Sequence, residues 1–187
     1  MRNIEQELKL QLTEREYNIL QGVAKVNPVE QINYYFAPKH CNLNVMLRLR
    51  QKGETFFACY KQRITHANGV MVSDEKECEI DYNYAQTLIE RGITVQEIAR
   101  FFQVDVAEDF YCIGKLTTYR TQFVLDEWTL ELDKNNYFSI TDYEIECEST
   151  RVESLMKLKS YLTYTFGIPI RPSITKFERF LLAMGKK

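Results

Sequence analysis

The chain has no apolar run long enough to span a bilayer, so a helical membrane anchor is excluded from the expectations. It has no C-x-x-C pair among its five cysteines (Cys41, Cys59, Cys78, Cys112 and Cys147), and their number is odd. A disulfide framework is therefore not expected, and with no apolar signal-like start the reading is a reduced, cytoplasmic protein. Its two histidines, His40 and His66, stand at ligand spacing with no cysteine pair, which argues against structural zinc. The formal net charge is only −2, so no global field draws the protein to nucleic acid or to a membrane. Glycine is scarce, seven residues against twelve tyrosines and eleven phenylalanines, and that balance favours a β-rich body. No repeat of fixed period, linker or low-complexity segment divides the 187 residues. One domain over 1–187 is expected, with a helical C-terminal segment from about residue 150.

What is present is alternation. In residues 4–12, Ile4, Leu8, Leu10 and Leu12 take one parity and Glu5, Glu7 and Lys9 the other, as a strand with two unlike faces requires. Val45, Leu47 and Leu49 alternate with Met46, Arg48 and Arg50. Residues 55–64, 75–80, 110–124, 127–132 and 137–148 are further predicted strands, and 31–36 a short aromatic one. Helical spacing marks four regions: a capping box at Thr13–Glu16, residues 82–91 closed by Gly92, residues 95–102, and residues 150–166 with a Val152, Leu155, Leu158, Leu162, Phe166 stripe. Residues 175–184 read as a last short helix, and Asp133 to Asn136 as a hairpin turn. About eight strands, with helices after the first, after the fifth and at the end, do not follow β-α-β alternation. They suit a mostly-β α+β fold, an antiparallel sheet closed into an eight-stranded barrel with covering helices.

The polar parities sort by sign. Glu5, Glu7; Glu75, Glu77, Glu79; Glu131, Asp133; and Asp142, Glu144, Glu146, Glu148 are acidic, whereas Arg48, Arg50 and Lys61, Arg63 are basic. A sandwich would leave these faces in solvent. A barrel that turned them inward would bury many charges, which is costly unless they pair or bind a ligand. Two carboxylates about 7 Å apart on one strand face can help hold a hard cation. Arginine forks and lysine ammonium groups suit phosphate oxygens. Both signs in one interior suit a polyanion with divalent cations.

The ordered set of motifs resembles the CYTH superfamily, the triphosphate tunnel metalloenzymes. Glu5-x-Glu7-x-Lys9 is similar to its N-terminal signature, Arg48 and Arg50 to its paired-arginine strand, and Lys61 to the basic residue of the next strand. Glu77 and Glu79, Arg120, Asp133, the pair Glu144 and Glu146, and Ser173 to Lys176 continue the match. Thr118 departs from it, standing where many members carry lysine. Lys115 falls on the opposite parity, and Glu148 extends the acidic strand.

The resemblance implies a tunnel that binds a triphosphate-containing small molecule with Mg2+ or Mn2+. Glu5, Glu7, Asp133, Glu144 and Glu146 would be metal ligands. Lys9, Arg48, Arg50, Lys61, Arg63, Arg120 and Lys176 would hold substrate. Glu5, Glu7 and Lys9 would take part in catalysis, with Glu77 and Glu79 supporting the basic strands. The expected activity is hydrolysis of inorganic tripolyphosphate, thiamine triphosphate or a nucleoside triphosphate. The alternatives are a class IV-type adenylate cyclase and a non-catalytic polyphosphate- or nucleotide-binding module. No nucleic-acid or membrane partner is expected, and the assembly would be a monomer or homodimer. Cys59 reads as a small filler, Asp142 as a turn residue, Trp128 as a packing residue, and the histidines as solvated loop residues.

Overall fold

A computed structural model describes residues 3–39, 45–67 and 70–185; the side chains of residues 3–6, 63–67 and 70–72 fall outside that description. Among the described residues, β1 (Asn3–Leu12), α1 (Glu14–Ala24), β2 (Val29–Ala37), β3 (Val45–Lys52), β4 (Thr55–Ala67) and β5 (Val70–Ile80) are followed by α2 (Tyr82–Arg91) and α3 (Val95–Phe102). Then come β6 (Tyr111–Leu125), β7 (Trp128–Tyr137), β8 (Ile140–Glu148), α4 (Val152–Phe166) and α5 (Lys176–Met184). The strands pair in the order β1-β5-β4-β3-β2-β6-β7-β8, and β8 pairs back to β1, so the sheet is a closed barrel. Every pairing is antiparallel. Closure leaves no open sheet edge.

The apolar parities point outward and are covered. Leu8, Leu10, Leu12, Leu130, Leu132 and Ile145 pack under α1 and α4 through Tyr17, Leu20, Leu155, Leu158 and Leu162. Trp128 belongs to this layer, and its indole N–H donates to Ser154 Oγ at 3.0 Å. Leu47, Leu49, Phe56, Ala58 and Ile80 pack under α2 and α3 through Ala85, Leu88, Ile98 and Phe102. The hydrophobic effect thus acts on the outside of the barrel wall. The capping box expected at Thr13 with Glu16 forms, and the structure adds two more, Thr94 with Glu97 and Thr175 with Glu178.

A third apolar cluster lies on the inward parity at one end. Tyr35, Leu116 and Tyr137 meet Phe177, Phe180 and Ala183 of α5, which therefore stops that end of the barrel. A glycine makes room for it. Gly114 has φ +140°, beside a register shift between Tyr35 and Phe36, and a Cβ there would lie 2.9 Å from Phe180 Cζ.

Three sequence expectations change. Residues 133–136 are not a turn but the inner and outer positions of β7, and the reversal falls at Phe138 and Ser139, with Phe138 at φ 51°. The polar side chains Asp133 and Asn135 that suggested a turn face the barrel interior, where both are fully buried and hydrogen-bonded. Asp142 lies in β8, not in a turn, and is buried. His66 has a strand backbone; its side chain, and all of His40 and Cys41, lie outside the described residues.

Candidate active site

The inward parities surround a cavity of about 750 Å³ lined by Glu7, Lys9, Arg48, Arg50, Lys61 and Lys176, among others. Its two walls differ in how tightly their charges are paired.

The acidic wall is β7 and β8. Asp133, Glu144 and Glu146 are all buried, and one oxygen from each lies within 4.8 Å of the other two. Register explains the convergence: Asp133 stands opposite Glu144, and Glu146 opposite Lys9 of β1. Arg120 of β6 faces Asp133 across the ladder and forks onto it, with Nε 2.8 Å from Oδ1 and Nη2 2.6 Å from Oδ2. The same Nη2 lies 2.9 Å from Glu146 Oε2, and Nη1 contacts Glu131. Lys9 contacts Glu146 and lies 3.3 Å from Glu7. Lys176, at the first position of α5, reaches all three acids: Asp133 at 2.8 Å, Glu146 at 2.7 Å, and Glu144.

These pairs fix the protonation states. Burial alone would lower the Lys9 ammonium, but Glu146, Glu7 and Glu144 outweigh it and hold the pKa well above its ordinary value. Burial would raise Glu146, but Lys176, Lys9 and Arg120 hold it well below the usual carboxylate range. Asp133 is lowered in the same way, by Lys176 and Arg120 against its burial. Glu131 is the exception: burial and the charges of Glu146 and Asp133 push it up despite Arg120.

The basic wall is looser. Arg48 Nη2 is 3.4 Å from Glu75, and Arg50 Nη1 is 3.9 Å from Glu77. Arg48 Nε and Arg50 Nε are buried donors without a hydrogen-bond partner among the described residues. Lys61 sits 3.0 Å from Glu75 and 3.8 Å from Glu7. Unsatisfied buried donors are expensive, and an incoming anion would relieve them. Cys59 faces this wall and donates to Glu77 at 2.9 Å; burial pushes its thiol up to about 12, so at neutral pH it is a protonated thiol rather than a nucleophile or soft ligand.

Most residues singled out from sequence meet in this space. Glu7, Lys9, Arg48, Arg50, Lys61, Glu77, Arg120, Glu146 and Lys176 line the cavity, and Asp133 and Glu144 lie behind Lys176. Glu79, opposite Phe57, is exposed and outside this lining. The side chains of Glu5 and Arg63 lie outside the described residues; in backbone register both stand opposite Ser73, Glu5 in β1 and Arg63 in β4. Thr118 is buried and donates to Asn135 at 2.7 Å, while Lys115 is exposed and does not replace the lysine that Thr118 lacks.

Sequence reasoning missed Arg179. It lies one turn after Lys176 on α5, with Nε 2.8 Å from Asp142 Oδ2, Nη2 3.0 Å from Glu144 Oε2 and Nη1 2.6 Å from Ser173 Oγ. The i, i+3 spacing of the two cations was the available signal. Asp142 also accepts from Tyr137 at 2.6 Å and from Asn135 at 3.0 Å, so it anchors α5.

An eight-stranded barrel thus encloses a charged cavity, with oxygen-donor acids on one wall and guanidinium Nε donors without hydrogen-bond partners among the described residues on another. The chain belongs to the CYTH domain family, whose pattern matches residues 3–181. Among solved structures it is similar to a candidate adenylyl cyclase from Hippeastrum with a dominant triphosphatase activity, at 26% identity, TM-score 0.79 and 96% coverage of each chain. It is also similar to a candidate adenylate cyclase from Bacillus halodurans, at 25% identity and TM-score 0.77, covering 96% of this chain and 98% of that one. A Pyrococcus horikoshii protein at 18% identity and TM-score 0.61, covering 91% of this chain and 96% of that one, shares the fold. Comparison with curated proteins found no match. Among the described residues no helix is long and apolar enough to cross a membrane.

Proposed function

We propose that this protein is a metal-dependent triphosphatase that cleaves the terminal phosphoanhydride of inorganic tripolyphosphate or of an organic triphosphate inside the barrel. The observation that carries this reading is the pairing asymmetry across one cavity: orphaned Arg48 and Arg50 donors on one wall, converging carboxylate oxygens on the other. Membership of the CYTH family and the triphosphatase activity named for the Hippeastrum protein support it.

The donor set fits a hard divalent cation. Asp133, Glu144 and Glu146 offer only oxygen, from buried side chains, as Mg2+ or Mn2+ requires. A second cluster, Cys59 with Glu75 and Glu77, fits less well, since its thiol stays protonated and two arginines lie beside it. Glu7, and by sequence Glu5, would complete the oxygen ligands. A bound divalent ion supplies Lewis-acid polarisation of phosphoryl oxygens and lowers the pKa of a coordinated water.

The chain's own residues do the rest. Arg48, Arg50 and Lys61 align the phosphates and neutralise their oxygens; Lys9 and Arg120, held cationic by their carboxylates, stabilise charge on the departing group. Water oxygen bonds to the terminal phosphorus as the bridging P–O bond breaks, and the electron pair leaves with the departing diphosphate or nucleoside diphosphate. The proton goes to a carboxylate of β1, Glu5 or Glu7, since Asp133 and Glu146 are held ionised by their cations.

A cyclase reading rests on the names of the two structural neighbours. The assay that decides is incubation with tripolyphosphate, thiamine triphosphate and ATP, with Mg2+ or Mn2+, resolving phosphate, diphosphate and cyclic AMP. Phosphate release is expected. Cyclic AMP from ATP would establish the cyclase, and no turnover of any of them would leave a binding module.

A further inference from the structure

The three acids of the metal-binding wall already hold a cation: the ammonium of Lys176. The oxygens it touches are Asp133 Oδ2 at 2.8 Å, Glu146 Oε1 at 2.7 Å and Glu144 Oε1. The remaining oxygens are turned away and engaged elsewhere. Asp133 Oδ1 and Glu146 Oε2 accept from Arg120, and Glu144 Oε2 accepts from Arg179. The point on which the three carboxylates converge is therefore the Nζ position itself. A divalent cation at its centre and the Lys176 ammonium cannot share it, on steric and electrostatic grounds alike.

Lys176 is able to leave without undocking its helix. Arg179 holds α5 to Asp142, Glu144, Ser173 Oγ and the Ile174 carbonyl, and Phe177 and Phe180 seat it against Tyr35. Thr175 caps it with Glu178. The lysine side chain has a flexible four-carbon stem, and it already lines the cavity that Arg48 and Arg50 face.

We propose that Lys176 is a built-in competitor for the divalent cation, holding the Asp133, Glu144 and Glu146 oxygens in place until the ion displaces it, and then moving its ammonium onto the bound triphosphate. This rests on the triphosphatase reading. It couples the two ligands: metal entry releases a cation to the anion, and anion binding removes the competitor of the metal. Before loading, the lysine holds the three acids together across a shared ammonium.

The test is Mn2+ binding by the full chain without substrate, read as free Mn2+ by electron paramagnetic resonance. Lys176→Met is compared with wild type and with Lys115→Met, which removes an exposed cation and controls for net charge. Lys176→Met should bind Mn2+ about tenfold more tightly, the scale of an ordinary coupling between exclusive ligands. With Mn2+ saturating, the same variant should bind tripolyphosphate more weakly. Lys176→Gln, which keeps a hydrogen-bonding end, replaces Lys176→Met if the latter does not unfold cooperatively. Unchanged or weaker Mn2+ binding in a folded Lys176 variant overturns the competition. Phosphate release by the wild type would then still stand, so the two readings fail separately.

Discussion

Lys176 and Arg179 take hold of opposite oxygens of one carboxylate: Lys176 contacts Glu144 Oε1, and Arg179 Nη2 lies 3.0 Å from Glu144 Oε2. One residue faces the cavity and the other faces Asp142, so a single turn of α5 both stops the barrel and furnishes its interior.

Arg179 is the positioning residue in this pair. Arg179→Met would leave Asp142 and Glu144 short of a cation and should cost about 3–5 kcal/mol, the usual penalty for breaking a buried pair. Arg179→Lys cannot reproduce the fork and should fall between the two. Urea unfolding measures the loss, and tripolyphosphate KM should rise more than kcat falls. A full wild-type KM in Arg179→Met would show that α5 needs no such anchor.

Glu7→Gln should lower metal-dependent phosphate release by about a hundredfold or more, while the unfolding midpoint moves little, because Lys9 keeps Glu146 as a partner. Phosphate release at saturating Mg2+ is the measurement. Retained activity would remove Glu7 from the mechanism.

Gly114→Ala tests the stopper from the wall side. The added methyl meets Phe180 Cζ at 2.9 Å, at a φ that L residues avoid. A loss of about 1–3 kcal/mol is expected, with faster amide exchange in α5. Unaltered exchange in α5 would mean that Phe180 moves aside at no cost.

Glu97 offers a pH test remote from the cavity. Its carboxylate is held to about 2, first by hydrogen bonding to Arg91, against burial, and further by Tyr84 and the Thr94 backbone. The folded value lies below the unfolded one, so its stabilisation is fully present above the ordinary glutamate pKa and is lost as pH falls toward about 2. Because Arg91 is 41% exposed, the contribution is discounted to about 1–2 kcal/mol. The stability gap between wild type and Glu97→Gln should be constant near neutrality and close between roughly pH 4 and 2. A gap independent of pH would assign the effect to packing instead.

Strand parity was legible in the chain because a side-chain period of two depends only on local geometry. That put Glu7 and Lys9, Arg48 and Arg50, and Glu144 and Glu146 on shared faces, and the capping box at Thr13 followed from local hydrogen bonding. The same local rules misplaced the β7–β8 turn. Asp133 and Asn135 are turn formers by propensity, yet burial with Arg120 and Asp142 keeps them in a strand.

Alternation along the chain determined which side chains stand together, and the ordered motifs determined the family. It could not decide which acid meets which cation, since ion pairing is set by register between strands distant in sequence. Only the closed barrel puts Lys9 beside Glu146, 137 residues away, leaves Arg48 Nε and Arg50 Nε without a hydrogen-bond partner among the described residues, and brings α5 back so that Lys176 fills the place where three carboxylates converge.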